Sequence, residues 1–484
     1  MLIIIFYQEW GMPQVFSIQI FFLYPAAVLR AAFFSNTTAY IVYLVGINFV
    51  TFLIAFKSFE SFSHDWLKSF LFSVLYGCAS YRLSDLTERG ALGEVLALTF
   101  LPIAFVGVYH IFIGHSKKWV LLSIGMSCLF FTHMLTAVIF SFFILFFIIL
   151  NMDVVFEQKK RMLDFGKAIL LTLPLVAVFL LPMLEQLTDQ SYYFQEHPMM
   201  YLHEGAGSIT EYLTVAMRNQ GHNNLGVLTL LALAIIGLHF KALSKFSRQL
   251  LILSVVFLIM STNLFPHVYL SQTILNVMQF PWRFFLLITL CTYWVLAAEW
   301  DYLFPIAVNR WIPLILIVST LGVAIAHSIQ VPKKRKYEHY VYDFIDSGYL
   351  GWGSEYLPIE MDAEEIVTQK PTFYYDPNKV TLTDIDMGFG EAMFTFESET
   401  PTKVILPFVY YKGYEAEGEG QFSKITGEDP DYPGYCSLSV EGTGKIRVTY
   451  KETMLQKASL SISVITWILL GSVAGYGYMN RRKE

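Results

Sequence analysis

The sequence predicts a mainly α-helical polytopic membrane protein of the kind built as a helix bundle, with about eleven spans. An antiparallel β-sandwich or jelly-roll domain is expected outside the cytoplasm, just before the last helix. Three observations predict it. Charged residues make up only 15% of the 484 positions while 55% are hydrophobic and the mean hydropathy is +0.50, whereas a soluble domain is typically about 25% charged. Residues 331–455 hold 22 of the 39 acids against 12 Lys and Arg, so a polar, acidic segment is attached to an apolar one. The basic short loops between apolar runs all fall on one side.

Apolar runs of roughly spanning length lie near residues 38–56, 66–81, 93–113, 118–132, 134–151, 167–184, 225–240, 249–264, 283–299, 312–330 and 458–478. Each is bounded by charges or turn residues. Their loops orient them. His115-Ser116-Lys117-Lys118, Gln158-Lys159-Lys160-Arg161, the stretch from Lys241 to Arg248, and Arg481-Arg482-Lys483 share one side by helix count, and Lys/Arg excess marks the cytoplasm. The loops 81–92 and 185–225, the His133 corner, the loop 263–282 and the 331–456 domain then face outward. The expected organisation is an outer-loop remnant with an interfacial helix at 1–36, a bundle at 37–330, the β-domain at 331–456, and a final span with a basic cytoplasmic tail at 457–484.

Within the acidic segment the apolar period changes to two. The runs 379–386, 392–397, 403–411 and 445–450 read as strands separated by Gly, Pro and Asp turns. Tyr410, Tyr411 and Tyr414 suit either stacking on sugar rings or packing between sheets. Cys78, Cys128 and Cys291 lie in apolar runs and Cys436 has no cysteine partner in the polar domain. That usage fits a bacterial surface protein better than a disulfide-stapled secreted one.

The first chemical candidate is the corner Tyr81-Arg82-Leu83-Ser84-Asp85-Leu86-Thr87-Glu88-Arg89-Gly90-Ala91-Leu92-Gly93-Glu94. Glu94 falls at the start of the next span, where an acid is costly unless paired. Arg82 and Arg89, with Asp85 between them, suit a phosphate clamp; an internal salt-bridge set tying two helices together is the competing reading. Arg283, in Gln279-Phe280-Pro281-Trp282-Arg283-Phe284, sits at headgroup depth, where it would meet a lipid phosphate or snorkel. His133 occupies a tight outer corner, and Glu185, at the outer end of another span, is its candidate neighbour. The motif Gly353-Ser354-Glu355-Tyr356-Leu357-Pro358 is placed to fold back over the membrane face. No glycine-rich phosphate loop, His-Glu-x-x-His, paired Cys-x-x-Cys or basic stripe is present, which argues against a nucleotide-driven pump, those zinc sites and a nucleic-acid partner.

Taken together, Arg82-Leu-Ser-Asp-Leu, Arg89-Gly-Ala-Leu-Gly-Glu94, Gln279-Phe-Pro-Trp-Arg-Phe284, Glu355-Tyr-Leu-Pro358 and Leu406-Pro-Phe-Val-Tyr-Tyr-Lys-Gly-Tyr414 resemble one bacterial family. It is the "6-pyruvoyl-tetrahydropterin synthase-related" membrane proteins, similar to YfhO-like proteins, and it resembles the GT-C glycosyltransferases. The resemblance implies transfer of a sugar from a polyprenyl-phosphate donor to a cell-envelope polymer or lipid on the outer face. It also implies a divalent metal, Mg or Mn, wherever the class's first-loop acid acts as ligand. Arg82, Arg89 and Arg283 become phosphate contacts, Glu94 and Glu355 acid candidates, and Asp85, His133, Glu185 and Tyr356 further substrate-side candidates. The family pattern opens with a helix and an Asp-bearing outer loop, and no Asp precedes Asp65 here. Glu9, in Phe6-Tyr-Gln-Glu-Trp-Gly11, is the acid left in the N-terminal outer segment. The reading therefore expects a chain that starts late, either a transferase or its truncated, inactive form. A flippase or transporter of lipid-linked precursors, and a non-catalytic envelope scaffold whose β-domain binds glycan, are the alternatives.

Overall fold

The structure, a computed structural model, describes residues 20–32, 34–198, 200–304, 309–334, 356–361, 372–388 and 390–481. It is mainly helical, with one antiparallel sheet. Among the described residues the helices of ten residues or more are α1 (Ile20–Ala31), α2 (Asn36–Ser63), α3 (Trp66–Gly77), α4 (Leu92–Phe112), α5 (Val120–Thr132), α6 (Met134–Ile149) and α7 (Lys159–Leu175). They continue as α8 (Ala177–Asp189), α9 (Ile209–Arg218), α10 (Val227–Leu238), α11 (Lys245–Ser261), α12 (Phe285–Leu303), α13 (Ile312–Lys334) and α14 (Met454–Arg481). The chain forms two compact units, one from Ile18–Val176 and Met200–Lys336, the other including Ala177–Met199 and Tyr337–Glu484.

Every apolar run read as a span is helical, but not every helix has spanning length. Five are long and apolar enough to cross a membrane: α2, α4, Pro281–Leu303, α13 over Ile312–Val331 and α14 over Met454–Tyr476. A sixth arises if α7 and α8, interrupted at Val176, count as one broken span. The expected spans at 66–81, 118–132, 134–151, 225–240 and 249–264 come out as helices of 12 to 17 residues. Local chemistry fixes several of their ends. Asp65 accepts from the Lys68 backbone N–H at 3.0 Å, and Ser244 does the same for Ser247 at 3.2 Å, so the first turns are fixed by side-chain caps. His133, extended at φ −159°, separates α5 from α6.

In the helical unit α4 and α12 form the interior, and α2 and α13 leave most of their apolar side chains at least partly exposed. Trp294 of α12 is fully buried, with Phe59, Phe62, Phe72 and Phe105 rings centred 4.5 to 5.3 Å away. Such tilted and edge-on arrangements suit aromatic quadrupoles. α4 and α5 cross at two glycines. A Cβ on Gly107 would strike the Leu122 backbone, and one on Gly125 the Ala104 backbone. Small residues at a crossing let two apolar helices gain dispersion contacts that lipid would otherwise match.

The other unit joins α8 and α14 to a six-stranded antiparallel sheet. Its strands are β1 (Tyr374–Tyr375), β2 (Val380–Gly388), β3 (Glu391–Val409), β4 (Tyr414–Gly418), β5 (Gln421–Phe422) and β6 (Tyr435–Tyr450). The strands expected at 392–397 and 403–411 are a single strand, β3. It is interrupted by a register shift between Ser398 and Thr402, where exposed Pro401 needs no ladder partner. β3 and β6 run the length of the sheet. β2 and β4 flank one half, β1 and β5 the other. Two hydrogen-bonded sheets are thus replaced by one, and its halves share a core through Phe394, Phe396, Val404, Leu406, Phe408 and Val448. A second cluster of Ile405, Val409 and Tyr411 packs on Tyr192, Leu357 and Met361. Tyr411 is fully buried and Tyr414 nearly so, so of the two roles open to these tyrosines both take the packing one.

Side-chain-to-backbone hydrogen bonds fasten the sheet to α8. The Gln186 side-chain amide donates to the Lys412 carbonyl at 2.8 Å and accepts from its N–H at 3.1 Å, while Gln190 donates to the Tyr410 carbonyl at 2.9 Å. At the start of α8, Ser463 of α14 accepts the Val178 N–H at 2.9 Å. That satisfies a donor orphaned by the helix break, as apolar surroundings require.

Candidate functional site

The site is built where α3 gives way to α4. After Gly77 the chain makes one α-turn, Ser80–Ser84, then a π-helical turn, Asp85–Arg89, closed by Gly90 at φ +63°. Left-handed backbone there is available to glycine at little cost. The wide π-turn, a feature often found at functional positions, brings Asp85, Arg89 and Glu94 together although α4 begins only at Leu92. Glu94 lies in the first turn of α4, where the positive end of the helix dipole favours an anion.

Glu94 is the hub. Its Oε1 accepts the Tyr81 hydroxyl at 2.5 Å and its Oε2 accepts Arg89 Nη1 at 2.9 Å, with Arg283 Nε 3.8 Å away. Arg89 also bonds Asp85 Oδ1. The second oxygen of Asp85, and Nε of Arg283, have no hydrogen-bond partner among the described residues. Arg283 donates to the Met278 carbonyl at 2.7 Å, and its guanidinium lies over the Phe280 ring at 5.0 Å. His133 is near enough to interact electrostatically with Glu94, Arg283 and Arg89, and its Nδ1 shares a 2.8 Å hydrogen bond with Thr136. Two guanidiniums thus face two carboxylates, a locally neutral and desolvated set in which each charge is compensated.

The structure therefore brings Asp85, Arg89, Glu94, His133 and Arg283 together. It does not bring Arg82 with them. Arg82 is 1% exposed and donates to Asn48 at 2.7 Å, the Gly77 carbonyl at 3.0 Å and Thr51 at 3.0 Å. It ties the end of α3 to α2 because those oxygens lie within reach of its fork while no carboxylate lies within 4.0 Å among the described residues. Glu185 belongs to the other unit, where it accepts the Thr453 hydroxyl at 2.7 Å. Tyr356, in the same unit, accepts the Tyr411 hydroxyl on its carbonyl at 2.7 Å, and its ring meets Phe194 edge-on at 6.2 Å. Glu9 and Glu355 lie outside the described residues.

Tyr81 was not singled out by sequence reasoning; its one signal is its place at the head of the arginine- and acid-rich corner. The loop after α9 was also missed. Gly221 donates its N–H to Glu88 at 2.8 Å, and the His222 ring lies 5.0 Å from Trp282, next to Arg283. His327 of α13 bonds Thr87 at 2.8 Å and the Asn219 carbonyl at 2.9 Å. These partners come from loops and helices 60 to 240 positions apart, a separation no local pattern encodes.

No group of three or more His, Cys, Asp and Glu side chains suited to hold a metal ion occurs among the described residues. Glu94 and Asp85 already face arginines, so this donor set does not fit Mg or Mn. The chain matches no family model, no curated protein and no solved structure.

Proposed function

We propose that the protein is a GT-C-like membrane glycosyltransferase of the YfhO-like kind, acting on a polyprenyl-phosphate sugar and an envelope polymer or lipid acceptor. On this reading the chain crosses a bacterial plasma membrane eleven times, with the C-terminus cytoplasmic and residues 331–456 outside. The coincidence of each apolar run with a helix supports the span count. The observation that carries the function is the convergence of Arg89, Arg283 and Tyr81 on Glu94 at the end of two apolar helices. Donor phosphate would draw Arg89 and Arg283 away from the carboxylates, freeing Glu94. The acceptor hydroxyl then attacks the sugar carbon, the carbon–oxygen bond to phosphate breaks, Glu94 takes the proton and the arginines stabilise the leaving phosphate.

Purified full-length protein given a polyprenyl-phosphate sugar and an envelope acceptor should release polyprenyl phosphate. Glu94→Gln and Arg283→Ala should each slow release by roughly a hundredfold or more. No release from correctly folded protein with any envelope acceptor would overturn the assignment. A scaffold reading draws on one specific observation, the internal neutrality of the cluster. It predicts that folded Glu94→Gln protein keeps its envelope role.

A further inference from the structure

At the opposite end of α4 and α12 from Glu94, a cavity of about 380 Å³ is lined by Phe62, Ser63, Asp65, Lys68, Tyr109, Ala298 and Glu299. Its volume lies within the usual range for a small-ligand site. Glu299 is 7% exposed. Its Oε1 accepts the Ser247 hydroxyl at 2.6 Å and the Ser244 N–H at 3.3 Å. Neither donor carries charge, and among the described residues no Lys, Arg or His lies within 4.0 Å of the Glu299 carboxylate. Lys68 lines the same cavity but is occupied: its Nζ holds Asp301 at 2.9 Å and the Ala298 carbonyl at 2.9 Å, above the Trp300 ring at 5.6 Å. Glu299 also sits near the C-terminal end of α12, where the helix dipole disfavours an anion. A buried carboxylate without a countercharge is costly, and here it borders a space large enough for a ligand. The half-buried Asp65 adds a second acid to the wall, and Phe62 and Tyr109 add aromatic rings, edge-on to each other at 4.8 Å. Aromatic faces beside carboxylates are the chemistry that recognises organic ammonium groups.

We propose that this cavity binds an organic ammonium group, with Glu299 supplying the countercharge and Phe62 and Tyr109 the aromatic wall. The group is either the headgroup of a membrane lipid or a soluble amine. The inference is independent of sugar transfer.

The test uses the full chain in an uncharged detergent, with choline and ethanolamine as probes and tryptophan fluorescence and thermal unfolding as readouts. At least one amine should give a saturable response. For choline, its uncharged carbon isostere dimethylbutanol should give none, and sodium chloride at matched ionic strength should not reproduce it. In Glu299→Gln the apparent affinity should fall by roughly tenfold or more, as loss of a charge-assisted contact requires. Nanodiscs then separate the two sources. A response weaker in phosphatidylethanolamine than in phosphatidylglycerol identifies a lipid headgroup as occupant, and equal responses identify a soluble amine. The proposal is overturned if wild-type protein responds to neither amine, responds equally to the isostere or to sodium, or if folded Glu299→Gln responds like wild type. The isostere arm needs no variant, so it decides even if Glu299→Gln does not fold.

Discussion

The helical unit buries one carboxylate near the beginning of α4 and another near the end of α12, and the two are treated in opposite ways. Glu94 has a favourable helix dipole, a tyrosine hydroxyl and two arginines. Glu299 has an unfavourable dipole, two neutral donors and an adjoining cavity. The same residue type is therefore internally neutralised at one end and left with an unmet charge at the other. The lesson is that burial of an acid does not by itself mark a site. What distinguishes the two is whether the fold supplies the opposite charge or leaves room for it.

Removing a countercharge should show the difference most strongly. Arg89→Met would leave Asp85 without its ion pair and Glu94 with the distant Arg283 alone, and breaking a buried pair from one side typically costs about 3–5 kcal/mol. Chemical denaturation in detergent micelles should read a loss of that order. Glu299→Gln should instead change stability by no more than about 1 kcal/mol, and in the stabilising direction if anything, since a buried uncompensated charge is removed while the amide oxygen still accepts from Ser247. Comparable losses for the two variants would break the contrast. Tyr81→Phe is intermediate. It deletes a hydrogen bond to a charged group, worth about 1.5–3 kcal/mol, but leaves Arg89 on Glu94. A larger loss than for Arg89→Met would mean that the hydroxyl, rather than the guanidinium, holds the corner.

How much of this contrast the sequence could reveal follows from where each partner sits. Asp85, Arg89 and Glu94 fall within ten positions of one another, and an acid at the start of an apolar run signals pairing, so their cluster was legible. Arg283 was legible as a cation at a helix entrance, but not as a partner of Glu94, because 189 positions separate them. Arg82 shows the opposite case. It is adjacent in sequence to the cluster, yet the turn directs it to Asn48 and Thr51 on α2, and adjacency does not encode direction. Glu299 gave no signal, since a single acid in Ala297-Ala298-Glu299-Trp300-Asp301 reads as an ordinary helix end; its isolation from cations is a tertiary fact. The helices themselves were legible from hydropathy, and so was the break at His133, but some ends were not: α3 stops at Gly77 although the apolar run continues to Tyr81. In the β-domain, period-two patterning located the strands. The fusion of two of them into β3 was hidden by Pro401, whose usual meaning is an end and whose role here is an exposed bulge.

The smallest expected effect lies in the β-domain, where a carboxylate is paired under milder conditions than either Glu94 or Glu299. Asp429 is 3% exposed and bonds Lys403, whose own side chain is largely in water. Burial pushes the Asp429 carboxyl up, but the Lys403 ammonium and the N–H groups of Asp431 and Tyr432, each at 2.9 Å, more than offset it and hold the group below the usual aspartate value. A carboxyl depressed on folding stabilises the native state above its unfolded pKa, about 3.9, and that contribution is lost as pH falls through the lower folded value. Tyrosine near-ultraviolet dichroism, which reports a domain rich in packed Tyr rings, should therefore show a melting temperature insensitive to this group from pH 7 to 5 and falling below about pH 4. Lys403→Met should reduce that acid-side drop while leaving the detergent stability of the Glu94 corner unchanged. An acid limb as steep in Lys403→Met as in wild type would assign the drop to other carboxylates. It would also leave the graded series, from Arg-locked to Lys-paired to uncompensated acids, without its middle member.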